Sequence, residues 1–159
     1  HNVTPVVDRT AEELRSYDLV PFRAAVAEGV DAVLCAHIRY PALDAEQIAS
    51  QSEKIITGLL RQELGFDGVV ITDDFRMGSL TKSGPVGEAA VQFILAGGDL
   101  VLCGPDLTLQ KEIMEGLYAA VADGRLTQAR IDESLYRILT MKDRGAQLKA
   151  AAEAQQEGK

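Results

Sequence analysis

The chain has 159 residues, of which 47% are hydrophobic and 25% are charged, and its net charge at pH 7 is -8. These proportions are typical of a globular domain, and the acidic excess argues against nucleic acid or an anionic membrane surface as a partner. No apolar run approaches the roughly 18 residues that a membrane-spanning helix needs.

The first predicted elements are short. Val3–Val7 is expected to form an extended lead-in segment. Thr10 and Glu13 have the spacing of a capping box, which predicts the start of a short helix. Pro21 favours a second helix, because proline suits the first helical turn.

Three later segments share one pattern, which is a glycine, one further residue, an aspartate, an apolar run rich in β-formers, and then polar residues. They are Glu28–Tyr40, Leu64–Arg76 and Ala96–Asp106. They recur at the spacing of one strand, one helix and two short loops, which indicates a repeated βα unit. The apolar runs are continuous, as in parallel strands that helices cover on both faces.

The segments between and after these runs have helical periodicity. Their apolar positions extend over Ile48–Leu60, Val86–Ile94, Leu109–Val121 and Ile131–Leu139. Gly65, Gly97 and Gly124 are predicted to end the first three helices in the left-handed conformation, and Thr127 is predicted to cap the last helix.

The alternation of helices and parallel strands predicts an α/β fold, which is either a small open sheet or half of a (β/α)8 TIM-type barrel. Residues 1–144 are assigned to this unit. Residues 145–159 are mostly Ala, Gln, Glu and Lys and are assigned to a helical or frayed tail.

Polar side chains follow the predicted strands at their carboxyl ends. His37 and Arg39 follow the first run, Asp73 and Asp74 the second, and Asp106 the third. In both architectures the carboxyl ends of the strands meet at one edge, where chemistry collects. A carboxylate held rigidly at the end of an apolar strand, beside a second acid, is suited to catalysis.

Each of these residues also has a structural interpretation. One of the two adjacent aspartates would cap a helix while the other is solvated, and Asp106 would be a turn or cap residue. His37 would be a core histidine bonded to the backbone, and Arg39 would cover the barrel rim with its stem. Met77 would pack in the core.

Other residues are assigned to the framework from the start. Asp31, Asp67 and Asp99 precede the predicted strands and are interpreted as structural turn residues on the opposite, stabilising face. Cys35 and Cys103 lie in apolar runs typical of buried free thiols, so neither a disulfide framework nor a metal site is predicted.

Several of these motifs resemble those of one enzyme family. The segment GFDGVVITDDFRM (residues 65–77) resembles the nucleophile segment of family 3 glycoside hydrolases, in particular their β-N-acetylhexosaminidase branch, where the pattern is roughly G-F-x-G-x-V-[ST]-D-[DA]-L-x-M. Asp18–Asp44 is similar to that branch's D-L-x-P-F and A-H-I-x-[YF]-P-x-x-D segments, and Ala96–Cys103 to its A-G-x-D-[ML]-[VL] strand. The run Thr72–Asp74 differs from the S-D-W of the β-glucosidase branch.

The resemblance implies a retaining hydrolase on a (β/α)8 barrel, of which this chain is the C-terminal half. Asp73 matches the nucleophilic aspartate that forms a covalent glycosyl intermediate, and Asp74 occupies the supporting position after it. His37 and Met77 match residues expected at the sugar site, and Arg39 completes the predicted substrate-binding set.

The resemblance also implies that His1 is the general acid/base. In this branch that histidine lies on a mobile loop reading D-S-H-x-x-x-P, and HNVTP fits the end of the pattern. A residue left from a tag is the alternative. The aspartate partner of this histidine and the K-H-F-P-G-H-G segment that grips the sugar would precede residue 1. We therefore expect a fragment that is inactive without the N-terminal half of the barrel.

The function expected from the resemblance is removal of terminal β-linked N-acetylglucosamine from a glycan, with no cofactor, no metal, and no nucleic-acid or membrane partner. Two other functions stay open. One is a non-catalytic half-barrel. The other is a doubly wound domain whose acidic pair binds Mg²⁺ and accepts phosphate, which would need a further acid at the first strand and a lysine at a late strand end. Neither residue is clear in the sequence.

Overall fold

The computed structural model describes residues 4–81 and 84–157. Its strands are β1 (Ala32–Cys35) and β2 (Val69–Thr72). Its α-helices are α1 (Ala11–Glu13), α2 (Val20–Ala27), α3 (Gly78–Thr81), α4 (Val86–Leu95), α5 (Leu107–Ala122) and α6 (Gln128–Glu157). Leu14–Asp18 and Lys54–Glu63 are helical with the wide turns of a π-helix, and Ala49–Gln51 forms a 3-10 turn.

The two strands pair in parallel. The register runs from Ala32 opposite Val69 to Cys35 opposite Thr72. Parallel strands need a long crossover, and here the Lys54–Glu63 helix provides it. This is the βα unit that the repeated sequence pattern predicts.

Two more segments extend the pairing on either side. Val6 bridges to Arg39 just beyond β1, and Leu100 bridges to Ile71 of β2, both in parallel orientation. The spatial order of these segments therefore follows the chain order, with helices in the connections. Successive strands of a (β/α)8 barrel have this arrangement, and the predicted α/β fold as part of such a barrel is confirmed.

Within residues 4–81 and 84–157, the third predicted strand, in Ala96–Asp106, forms only this one bridge. The segment still runs along β2, because the Thr72 N–H donates to the Leu100 carbonyl (3.0 Å) and the Phe75 N–H to the Leu102 carbonyl (3.0 Å). However, the Leu102 N–H donates to the side-chain Oγ1 of Thr72 (2.9 Å). A threonine hydroxyl thus replaces a backbone carbonyl and interrupts the ladder.

The helix ends follow the sequence signals. The Glu13 N–H donates to Thr10 Oγ1 (3.1 Å), and the Thr10 N–H donates to the Glu13 carboxylate (2.8 Å), which completes the predicted capping box. Thr127 accepts the Arg130 N–H (3.2 Å) at the start of α6. The predicted left-handed glycines have φ values of 75°, 107° and 80° at Gly65, Gly97 and Gly124.

The hydrophobic core lies between the sheet and its helices. One cluster includes Ile56, Val70 and Phe93, all of which are fully buried. A second cluster lies beyond the carboxyl end of β2 and includes Phe75 and Ala90. The core therefore supports the residues that directly follow β2.

Helices α4 and α5 approach each other closely at a pair of glycines. A Cβ atom added to Gly116 would lie 2.7 Å from the Cα of Gly87. Because the obstructing atoms belong to the backbone, no side-chain rotation relieves the clash. These two glycines set the distance between the helices.

The two faces of the sheet differ in their cover. Val70 and its neighbour Val33 pack into the core on the helix side. On the other side Leu34 lies opposite Ile71, which bridges to Leu100, and 52% of the Leu34 surface is exposed. This second face is an apolar row that the described residues leave partly uncovered.

Asp99, at the amino end of the third segment, is a buried centre of charge. Its side chain has no exposed surface. Its oxygens accept hydrogen bonds from Arg61 Nη2 (2.6 Å), the Val70 N–H (2.9 Å), the Ser134 hydroxyl (2.7 Å) and Arg137 Nη1 (3.2 Å), and Arg130 Nη2 lies 3.6 Å away. Asp99 thus has the expected structural role, but it acts by joining α6 to the strands rather than as a turn residue.

Helix α6 continues without interruption through the predicted tail as far as residue 157. The division at residue 144 stays a prediction. Within residues 4–81 and 84–157, no helix combines the length and the apolar character that crossing a membrane requires.

Candidate active site

The carboxyl ends of β1 and β2 bring His37 and Asp73 to one edge of the sheet. Cys35 lies opposite Thr72, and the Asp73 N–H donates to the Cys35 carbonyl (3.1 Å), so the pairing continues one residue past β2. His37 follows two residues after Cys35. The predicted convergence of these two side chains is therefore present.

Asp73 is half-buried and is held by its own chain at one carboxylate oxygen. Its Oδ1 accepts the N–H of Asp74 at 2.7 Å. Its Oδ2 has no hydrogen-bond partner among the side chains and backbone groups that the structure describes. One oxygen thus orients the group while the other stays available to a ligand.

Asp74 has both oxygens engaged within the chain. Oδ1 accepts hydrogen bonds from the backbone N–H groups of Arg76 (3.0 Å) and Gly104 (3.3 Å). Oδ2 accepts hydrogen bonds from Nε (2.8 Å) and Nη2 of the Arg76 side chain. The hydrogen bonds from Arg76 are the main cause that lowers the pKa of Asp74 to about 2. Asp74 is therefore an anion that joins the end of β2 to the next segment.

Gly104 leaves room for this contact. A Cβ atom at Gly104 would lie 2.3 Å from Cζ of Arg76, so the guanidinium lies directly against the backbone. Asp106, two residues later, accepts the Leu109 N–H (3.1 Å) and caps α5, which confirms its structural interpretation.

His37 is buried, with 2% of its surface exposed. Its Nδ1 lies 2.8 Å from Oγ of Ser50, and its ring makes an edge contact with Phe75 at a centroid distance of 5.5 Å. Its Nε2 is buried and has no hydrogen-bond partner within the part of the chain that the structure describes. Burial lowers the pKa of His37, and the negative charge of Asp73 counteracts this effect only in part. His37 is therefore a neutral imidazole with one unused polar atom.

The loop after β1 contains polar residues that the sequence did not single out. Ser50, with 1% of its surface exposed, contacts His37 as described. Asp44 Oδ2 accepts the Ser52 hydroxyl (2.7 Å), and Ser52 Oγ accepts the Ile55 N–H (3.2 Å) at the start of the following helix. The contacts of Ser50 with His37 and of Asp44 with Ser52 join positions thirteen and eight residues apart, which no short-range sequence pattern predicts.

Arg39 and Met77 lie near the same edge with contacts of their own. Nη1 of Arg39 donates to the carbonyls of Ala45 (3.0 Å) and Glu46 (3.1 Å), so the guanidinium holds the loop after β1. Met77 is half-buried in the turn before α3. His1 lies outside the described residues.

Among residues 4–81 and 84–157, no group of three or more His, Cys, Asp or Glu side chains is placed to hold a metal ion. Cys35 is buried, and burial raises the pKa of its thiol to about 12, so it stays protonated.

Sequentially ordered parallel strands, outer helices and a carboxylate at the carboxyl edge place the chain among (β/α)8-barrel proteins. Residues 1–141 match the model of the glycosyl hydrolase family 3 N terminal domain. The chain belongs to this family, as the sequence motifs predict.

Solved structures similar to the chain agree with this assignment. A family 3 β-N-acetylglucosaminidase from Paenibacillus sp. FPU-7 is 45% identical, with a TM-score of 0.89 over 92% of this chain and 28% of that chain. The β-N-acetylglucosaminidase from Thermotoga maritima is 34% identical, with a TM-score of 0.81 over 87% of this chain and 31% of that chain.

A curated relative of known sequence is named as an enzyme of the same class. A β-hexosaminidase of Stenotrophomonas maltophilia strain K279a is 38% identical in a match that covers 87% of this chain and 46% of the relative. The chain thus spans less than half the length of each of these three proteins.

Proposed function

We propose that the chain forms part of a retaining glycoside hydrolase that removes terminal β-linked N-acetylglucosamine from a glycan. The observation that carries the proposal is Asp73, a carboxylate at the carboxyl edge of a barrel sheet with one oxygen oriented by the Asp74 N–H and one oxygen unengaged by the described residues. Family membership and the names of the similar enzymes support the reaction class.

In this proposal Asp73 is the nucleophile. Its free Oδ2 attacks the anomeric carbon, and the bond from that carbon to the leaving oxygen breaks as a covalent glycosyl ester forms. A general acid protonates the leaving oxygen and then, as a base, activates the water that hydrolyses the ester. His1 is proposed for this role from the resemblance.

The remaining edge residues are proposed to shape the sugar site. Asp74 supports Asp73 directly through its backbone N–H and indirectly through its side chain, whose oxygens bind Arg76 and the Gly104 N–H. His37, Arg39 and Met77 are the other members of the proposed substrate-binding set. Of these, Arg39 acts through the loop that it holds.

We also propose that hydrolysis needs the rest of the barrel. A (β/α)8 interior is a packed core, whereas the row that contains Leu34 is partly uncovered here. The partner proposed for this face is the N-terminal half of the same barrel, which also supplies the other sugar contacts. In this proposal residues 1–144 form the barrel part, and 145–159 form a helical or frayed C-terminal tail.

Mechanism-based trapping tests the nucleophile. A fluorinated N-acetylglucosamine donor is incubated with the complete enzyme, and the labelled peptide is identified by mass spectrometry. We expect the label on Asp73, no label in Asp73→Asn, and slower labelling at Asp73 in Asp74→Asn. A label on any other carboxylate, Asp74 included, contradicts the assignment.

Hydrolysis of a chromogenic N-acetylglucosaminide, with the matching glucoside as specificity control, tests the remaining points. We expect activity from the complete barrel, a preference for the N-acetylated substrate, and none from this chain alone. Activity of the isolated chain would overturn the requirement for the other half.

A further inference from the structure

The buried pair formed by His37 and Ser50 has a defined donor and acceptor order. Nδ1 of His37 and Oγ of Ser50 are 2.8 Å apart, and both side chains are almost completely shielded from solvent. Either atom can be the donor in such a contact, because a neutral imidazole exists in two tautomers. The surroundings of the pair decide between them.

The serine end favours a hydroxyl that donates. Among residues 4–81 and 84–157, the Ser50 hydroxyl has no hydrogen-bond partner other than His37. If Nδ1 carried the proton, the serine proton would be buried without an acceptor, which is unfavourable. If Ser50 donates to Nδ1, both atoms are satisfied and the ring proton lies on Nε2.

The surroundings of Nε2, at the other end of the His37 ring, favour the same tautomer, with Ser50 as the donor. Nε2 is buried and has no hydrogen-bond partner among the described residues. Burial lowers the pKa of His37, and the nearby groups that counteract this are the charges and backbones of Asp73 and Asp74. These groups are negatively charged or are hydrogen-bond acceptors. A bare Nε2 lone pair facing them would be repelled, whereas an N–H is attracted.

We propose that Ser50 is a positioning residue which fixes His37 as the neutral Nε2–H tautomer, so that the ring N–H attracts the carboxylate of Asp73 electrostatically, without a hydrogen bond to it, and favours its observed position. This proposal rests on the proposed function only where it treats the position of Asp73 as important for its role as nucleophile. It joins the loop after β1 to the end of β2 through two uncharged side chains.

Nitrogen-15 NMR tests the tautomer directly on this chain, which contains only two histidines. We expect His37 to show a protonated Nε2 and a non-protonated Nδ1 near neutral pH. Ser50→Ala should produce a tautomer mixture, and Ser50→Thr, which keeps the hydroxyl, should restore the native pattern. A protonated Nδ1 in the native chain overturns the proposal without any variant.

The Asp74 amide reports on the positioning, because it donates to Asp73 Oδ1 at 2.7 Å. In Ser50→Ala we expect a shift of the Asp74 amide proton and hydrogen exchange about tenfold faster, with native values in Ser50→Thr. An unchanged Asp74 amide in a Ser50→Ala chain whose tautomer has changed overturns the positioning role. These readouts do not depend on hydrolysis.

Kinetics of the complete enzyme give the functional readout. Ser50→Ala should lower kcat by about tenfold with little change in KM, since Ser50 does not contact the substrate, and Ser50→Thr should recover most of kcat. A change confined to KM contradicts the positioning role. If the native enzyme hydrolyses no glycoside, the proposed function fails while the NMR results still decide the tautomer.

Discussion

Replacing Asp99 by asparagine tests how the last helix is held to the sheet. The substitution keeps the size of the side chain and removes its charge. Arg61, Arg130 and Arg137 then face each other without their buried counter-charge, and only the exposed carboxylates of Glu133 (3.6 Å from Arg130) and Asp67 (3.7 Å from Arg137) stay nearby. The three arginine side chains have between 11% and 16% of their surface exposed, so water compensates them poorly.

The expected loss follows from the contacts. The Asp99 carboxylate accepts hydrogen bonds from two arginines, a serine hydroxyl and a backbone N–H. An asparagine side chain has a single acceptor oxygen, and its NH₂ group would face donors. Breaking a buried ion pair by removal of one partner typically costs about 3–5 kcal/mol. We expect a loss in this range in the free energy of unfolding.

Urea unfolding followed by far-ultraviolet circular dichroism measures the effect. Asp67→Asn is the matched control, because Asp67 lies on the same face, is 93% exposed, and approaches Arg137 only to 3.7 Å. Its loss should be under about 1 kcal/mol. If Asp99→Asn lost no more than Asp67→Asn, the charge cluster would be solvated and the reasoning refuted.

Three further predictions concern packing and pH. Gly116→Ala should lower the free energy of unfolding, measured in urea, by about 1–3 kcal/mol, because the new Cβ would meet backbone atoms at 2.7 Å. Gly145→Ala should raise it by up to about 1 kcal/mol, because a Cβ there has no described atom within 4 Å. Equal effects of the two substitutions would contradict the close contact between α4 and α5. The free energy of unfolding should fall as pH drops below 6.5, because burial lowers the pKa of His37 and the unfolded chain takes up the proton first. In His37→Gln the free energy of unfolding should change less steeply with pH in this range. Asp74→Asn should lower the free energy of unfolding by about 1 kcal/mol at neutral pH. The difference in stability between the variant and the native chain should vanish as pH falls from 3.8 towards about 2, where the native carboxylate becomes protonated. A difference that persists at the lowest pH would contradict the lowered pKa of Asp74.

The placement of His37 and Asp73 at one edge could be predicted from sequence. Continuous apolar runs indicate parallel strands, and parallel strands bring their carboxyl ends together. The helix ends were predictable for a similar reason, since Thr10, Thr127 and the left-handed glycines act on their own local backbone. Local chemistry and periodicity were sufficient for both.

The roles of Ser50 and Asp99 could not be predicted in the same way. The partner of Ser50 lies 13 positions earlier, and the arginines around Asp99 lie 31 to 38 positions away from it. Such contacts exist only once the fold has formed. The interrupted third strand has a comparable cause, because β-propensity does not record that the Thr72 hydroxyl takes an N–H from the ladder.

The site around Asp99 also has a consequence for the order of events while the chain is being synthesised. Arg61 precedes Asp99, but Arg130, Ser134 and Arg137 belong to α6 and leave the ribosome later. A nascent chain that ends before α6 can pair Asp99 with Arg61 alone, and this leaves Oδ1 without its native donors. The strands can therefore associate early, but Asp99 at their amino ends gains its remaining donors only when the final helix docks. Helix α6 is thus the element that completes folding of this part of the barrel.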